Sequence, residues 1–346
     1  MFSMDKTGFK ELLLNFYTQV DVAPRLVKEA NLQIDSERIR QIVYLGMGGS
    51  AITGDLLNDV LFGQLNVPIT VVRGYITPGY CSANTLVIAC SYSGNTEETL
   101  SALQGLSGTG AQFLCVTSGG KLAKMASENN WGCISLPTGY PPRMALGFMF
   151  FTLYHALGQA GQFSDYDDDL ASLSRFFQEE IKKHDINLHP GHVLAMELAK
   201  TIQHSIPVIY SSAPFLSTVS LRWQNQIHEN AKALAFRNVL PEMNHNEIVG
   251  WEMESDVRKN LLAIFLENET PHPRIKQRIK LSKRLIKSGG NKVVDIYSHG
   301  SNILEKVFSL VILGDWVSYY LAAFYKKDPV AIENINYLKE ELAKTA

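Results

Sequence analysis

Apolar positions in the first forty residues fall at helical spacing: Phe9, Leu12, Leu13, Phe16 and Tyr17, then Leu26, Val27 and Ala30. Residues three and four apart share one face of a helix, so this segment predicts helices leading into a domain. From residue 41 the rhythm changes. Short apolar runs at 41–45, 69–72, 85–89, 112–116 and 133–136 read as strands. Helical patterns follow the first through Leu57 and the third through Leu106, then start again at about Lys121 and over 144–158. Strands that alternate with helices imply a parallel sheet covered on both faces, because parallel neighbours need crossovers.

The rhythm breaks between residues 162 and 190. The run Ser-Asp-Tyr-Asp-Asp-Asp at 164–169 can start a helix, Glu-Glu-Ile-Lys-Lys at 179–183 reads as its exposed end, and His189-Pro190-Gly191 is a turn. A strand at 207–210 follows, then the loop 211–214, a long helix through Phe236, and strands at 261–265 and 292–296. The closing helix, 303–325, is rich in Val, Leu, Trp and Tyr and should be buried. The expected organisation is an α/β fold in two units, 1–160 with leading helices and 191–346 with a C-terminal tail, joined by a linker at 161–190. The halves resemble a structural repeat without sequence repetition.

A length of 346 residues suits two such domains. The formal charge of −2 leaves no basic excess for a nucleic-acid backbone, although a local site can still be positive. Cys81, Cys90, Cys115 and Cys133 form neither a disulfide framework nor a zinc spacing, which fits buried thiols in a reducing compartment. The N-terminus has no signal-peptide run, and the stretch 144–153 is about half of a bilayer span. These features predict a cytoplasmic protein that does not engage membranes or nucleic acid.

Two loops carry the chemistry. Gly46-Met47-Gly48-Gly49-Ser50-Ala51 joins a strand to a helix and offers glycine-exposed N–H groups at a helix N-terminus, where anions bind. Its form also matches a dinucleotide fingerprint, but the second strand ends in Val72-Arg73-Gly74 without the acid that a ribose requires. Ser91-Tyr92-Ser93-Gly94-Asn95-Thr96-Glu97-Glu98 again follows a strand. A helix cap needs one hydroxyl; three around a glycine can converge on one tetrahedral anion.

These two loops are similar to those of the sugar isomerase (SIS) domain. Pro142-Arg143-x-Ala145, Glu229-Asn230-Ala231-Lys232, Asn244-His245-Asn246-Glu247 and Asp328-Pro329 with Tyr337-Leu338-Lys339 resemble the bifunctional phosphoglucose/phosphomannose isomerases, in order from about residue 40 to the C-terminus. The resemblance implies two doubly wound parallel-sheet SIS domains, a homodimer with shared active sites, and no cofactor. It implies interconversion of glucose or mannose 6-phosphate with fructose 6-phosphate. It further implies Gly48, Gly49, Ser50, Ser91, Ser93 and Thr96 for the phosphate, and Arg143, Glu229, His245 and Lys339 for the chemistry.

The reaction moves a proton between C1 and C2 through a cis-enediol, which needs a base, a cation beside the enediolate and an acid/base pair for ring opening. Glu229 sits where a carboxylate can be partly desolvated. Arg143 follows Pro141-Pro142 at the N-terminus of an apolar helix, a place unfavourable to a cation. His245 lies in a polar loop and suits proton shuttling near neutral pH, with a reach into the partner's site implied by the resemblance. Lys339 lies on an amphipathic tail. Val330 stands where relatives carry threonine after Asp-Pro, which bears on the C2 epimer accepted. His189 and His192 share a turn without a nearby carboxylate cluster, so no metal is expected. The rival reading is a non-catalytic sugar-phosphate sensor of the same fold.

Overall fold

The computed structural model describes residues 4–164, 166, 169–189, 191–268 and 272–344. Strands β1 (Gln41–Leu45), β2 (Ile69–Val72), β3 (Thr85–Cys90), β4 (Gln112–Thr117) and β5 (Gly132–Ser135) form one sheet in the order β2-β1-β3-β4-β5. Strands β6 (Ile206–Ser212), β7 (Phe236–Leu240), β8 (Leu261–Glu267) and β9 (Lys292–Tyr297) form a second in the order β7-β6-β8-β9. Every pairing is parallel. In each sheet the order reverses beside the first strand, so the loops after β1 and β3 diverge and open a crevice at the strands' carboxyl ends. That crevice holds the two glycine-containing loops.

The expected helix through Phe236 is corrected. The helix Ser217–Gln226 widens into a π-helical turn at Ile227–Ala231, and Lys232 then takes a left-handed conformation, with φ of 55°. The chain leaves the helix there and forms β7. Ala231, Ala233 and Ala235 kept the helical pattern alive in the sequence, but sheet pairing prevails over propensity. Between the sheets in sequence, Leu170–His184 is a helix capped by the Asp169 side chain, which accepts from the Ser172 N–H. Its Phe177 and Ile181 are buried in the main core. Asp165, Asp167, Asp168 and Pro190 of the expected linker lie outside the described residues.

The helix Ile303–Phe324 is the hub of that core. It is long and apolar enough to cross a bilayer, yet 94% of its apolar stretch is buried inside the fold. It touches the helix Ser217–Gln226 so closely that a Cβ on Gly314 would stand 2.2 Å from the Trp223 indole nitrogen. That indole donates instead to the Leu310 carbonyl at 2.8 Å. Inside this contact lies an ion pair. Arg222 holds both Asp315 oxygens at 3.0 and 2.7 Å, and Gln226 adds a donor at 2.7 Å. Arg222 also donates to the Arg143 carbonyl at 3.0 Å, which ties the hub to the first unit.

Removing one partner of a buried pair leaves an uncompensated charge. Asp315→Ala should therefore lower unfolding free energy by roughly 3–5 kcal/mol in urea titration. A loss under about 1 kcal/mol would show that water relieves Arg222.

Candidate active site

The first loop follows β1 and becomes the N-terminus of the helix Gly48–Val60, which no side chain caps. Gly48 has φ of 51°, in the left-handed region that glycine tolerates. The amides of Ser50 and Ala51 fold back to the Met47 carbonyl, while those of Gly48 and Gly49 have no backbone acceptor among the described residues. The second loop follows β3 and leads into the helix Glu97–Gln104, again without a side-chain cap. Its Thr96 thus does not act as the capping residue that a Ser/Thr-before-Glu pattern suggests. Gly94 has φ of 68°, and a Cβ there would lie 1.8 Å from the Gly119 carbonyl oxygen, so the tight turn admits only glycine. The loops are joined where the Tyr92 N–H donates to the Ser50 hydroxyl at 3.3 Å.

These loops line a cavity of about 740 Å³. Gly48, Gly49, Ser50, Ser93 and Thr96 line it. Ser91 does not. It is fully buried behind the loop, and its hydroxyl pairs with that of Thr96 at 2.8 Å. The expected convergence of three hydroxyls is therefore two, with Ser91 orienting the second.

Arg143, Glu229 and Lys339 line the same cavity, and the Arg143 backbone adjoins the first loop, since a Cβ on Gly49 would lie 3.3 Å from the Arg143 Cα. Arg143 precedes the helix Leu146–Gln159 in a single 3₁₀ turn and is 4% exposed, so it is no snorkelling surface residue. Its Nε donates to Asn230 Oδ1 at 2.7 Å and its Nη1 to Glu229 Oε2 at 3.1 Å. Its Nη2 donates to the carbonyls of Pro329 and Val330. Four of the five guanidinium N–H groups are thereby used, and one on Nη1 is left. Burial pushes the guanidinium below its ordinary pKa, against the opposing charge of Glu229. Asn230 is itself fixed by donating to the Ser318 hydroxyl at 2.9 Å, which donates to the Asp315 carbonyl at 2.7 Å. The site thus rests on the core hub.

Glu229 lies in the π-helical turn, a local widening that recurs at functional sites. Lys339 lies on the helix Glu333–Leu342, which has no buried residue. The contact to Val330 uses its carbonyl, so the departure from threonine spares the Arg143 clamp. His245 is exposed beyond the end of β7 and does not line the cavity.

Sequence reasoning gave Lys232 no role. Its ammonium reaches the carbonyls of Glu229 at 2.7 Å and of Asp328, and desolvation together with the nearby Arg143 charge pushes its pKa down to about 8. The signal was its unusual place after a helical run, which spacing alone does not reveal. Also unforeseen is the fate of the second sheet's loop. The Thr218 N–H, at the N-terminus of Ser217–Gln226, donates to Asp59 Oδ2 at 2.7 Å. The chain's own carboxylate thus fills the helix N-terminus that, in the first sheet, no side chain caps.

Residues 192–342 match the model of the bacterial phospho-glucose isomerase C-terminal SIS domain. A bifunctional phosphoglucose/phosphomannose isomerase of Caldicellulosiruptor bescii is 36% identical over 96% of this chain and 98% of its own. That decides the family. The chain belongs to the bifunctional phosphoglucose/phosphomannose isomerases. A member from Aquifex aeolicus is 37% identical over 88% of this chain and 91% of its own. In fold, the chain is similar to a hypothetical protein from Thermus thermophilus, with a TM-score of 0.77, 14% identity, and coverage of 98% and 91%. In this isomerase family member, among the described residues, no three His, Cys, Asp or Glu side chains are grouped to hold a metal ion.

If the two loops hold a phosphate monoester, Ser93→Ala with Thr96→Ala should weaken its binding at least about tenfold, since hydrogen bonds to charged groups contribute roughly 1.5–3 kcal/mol each. Calorimetric titration with fructose 6-phosphate reads this, with unchanged circular dichroism as the control. Unaltered affinity would place the phosphate elsewhere.

Proposed function

We propose that this chain interconverts glucose 6-phosphate, mannose 6-phosphate or both with fructose 6-phosphate through a cis-enediol, as a cytoplasmic homodimer of two-SIS-domain subunits. The units proposed are 1–160 and 191–346, joined by 161–190. The observation that carries the reading is one cavity lined both by the two glycine-and-hydroxyl loops and by a buried guanidinium paired with a partly exposed carboxylate. The phosphate sits on Gly48, Gly49, Ser50, Ser93 and Thr96, with Ser91 behind Thr96. That anchors a six-carbon chain so that C1 and C2 extend towards Arg143.

Glu229 takes the proton from C2 of the open-chain aldose, and the electron pair moves to make the C1–C2 double bond of the enediolate. The same carboxyl returns the proton to C1 while the C2 hydroxyl becomes the carbonyl, its own proton passing to the C1 oxygen, which ends as the ketose hydroxyl. The charge that builds on the oxygens faces the remaining Arg143 N–H, a donor fixed beforehand by four others. Glu229 itself keeps one oxygen on Arg143 and the other free for the proton. Lys339 and His245 open the sugar ring. Lys339 lines the cavity, whereas His245 is exposed and does not line it in the same subunit, which favours delivery from the second copy. The sensor reading is the weaker one, because a bare binding site has no need of a buried arginine paired with a carboxylate that faces the cavity.

Glu229→Gln keeps shape and most hydrogen bonds but accepts no proton. Turnover should fall about 10²–10⁴-fold with little change in substrate affinity. Loss of affinity with turnover intact would make Glu229 a binding residue.

Mixing inactive His245→Ala and Glu229→Gln proteins should regain part of the activity through hybrid dimers. Hybrids that form and stay inactive would place both residues in one subunit's site.

A further inference from the structure

The net charge of −2 conceals a strong segregation. The helix Pro273–Ser288 contains seven Lys and Arg residues and no acid. Ile279, Ser282 and Ile286 face inward onto the second sheet, so the cations are left outside. Lys276, Lys280, Lys283 and Lys287 recur at i, i+4, i+7 and i+11, which aligns them in one stripe towards the edge strand β9. Together with Arg284 and Tyr297 they line a groove of about 420 Å³. Like charges at such spacing oppose helix formation, and the stripe runs roughly 16 Å along the axis.

Only one of the five cations is neutralised among the described residues. Lys283 pairs with Glu267 and, at 2.8 Å, with Asp295, and its ammonium lies 5.8 Å from the Tyr297 ring centre. Lys276, Lys280, Arg284 and Lys287 have no ion pair there. Tyr297 presents an open aromatic face, 62% exposed. Five cations against two carboxylates make a local positive field on a near-neutral chain. A second copy docked face to face would set this stripe against its own like charges. None of the lining residues belongs to the catalytic cavity.

We propose that this groove binds a small anion carrying several phosphates, an oligophosphate or a nucleoside polyphosphate. Phosphates spaced along the chain of such an anion reach several of the lysines, where a single phosphate reaches one or two. The volume is that of a small-molecule site. The Tyr297 face offers a stacking surface to a base when one is present.

Titration of the whole protein with inorganic tripolyphosphate and with ATP, at about 0.15 M ionic strength, tests this. Both should bind, orthophosphate much more weakly, and affinity should fall with salt. Lys276→Ala/Lys280→Ala/Lys287→Ala should weaken both by about tenfold or more, while basal fructose 6-phosphate turnover stays unchanged. Lys280→Gln/Lys287→Gln serves should the triple variant not fold. Binding must persist in the Ser93→Ala/Thr96→Ala variant. Tighter binding of ATP that Tyr297→Ala abolishes identifies a nucleotide, and equal binding identifies the oligophosphate alone. The proposal is overturned if neither probe binds, if the lysine variants bind as well as wild type, if the loop variant abolishes binding, or if only a long single-stranded oligonucleotide binds.

Discussion

A buried guanidinium has to be paired, and the candidate active site is organised around that requirement at Arg143. Its partners come from two distant segments: Glu229 and Asn230 from the π-helical turn, and the carbonyls of Pro329 and Val330 from the approach to the tail. Meeting the demand of one cation therefore positions the candidate base and holds the approach to the tail helix, which carries Lys339, beside the cavity. The neighbouring pair of Arg222 and Asp315 holds the Arg143 backbone from beneath, so positioning and stability share the same charges.

The two sheets share a topology but divide the work. Each has its switch point beside its first strand, and each has a helix N-terminus there. In the first, glycines and hydroxyls leave the amides open to an incoming anion. In the second, the Asp59 carboxylate occupies the place, and burial pushes its pKa upward. The first sheet carries the open loops, and the second carries Glu229 and the exposed His245.

Eight of the nine strands among the described residues were legible, because parallel strands buried on both faces appear as short apolar runs between turn signals. β7 was not, since Phe236–Leu240 lies at a sheet edge and follows an alanine-rich stretch that continues a helical pattern. Both anion loops were readable from glycine and hydroxyl spacing. The inward turn of Ser91 was not, because a hydroxyl's direction depends on packing. Arg143 and Glu229 were named singly, but their pairing across 86 positions is a tertiary fact. The basic helix escaped notice because a net charge averages over the whole surface.

The central claim is that Glu229, held by Arg143, carries a proton between C1 and C2. Its most direct measurement is exchange of the substrate's carbon-bound hydrogen with solvent, followed by NMR on fructose 6-phosphate in deuterated water. Wild type should incorporate deuterium at C1 of the ketose and C2 of the aldose, and Glu229→Gln should incorporate almost none. Near-normal exchange in that variant would contradict the assignment and make another residue the base.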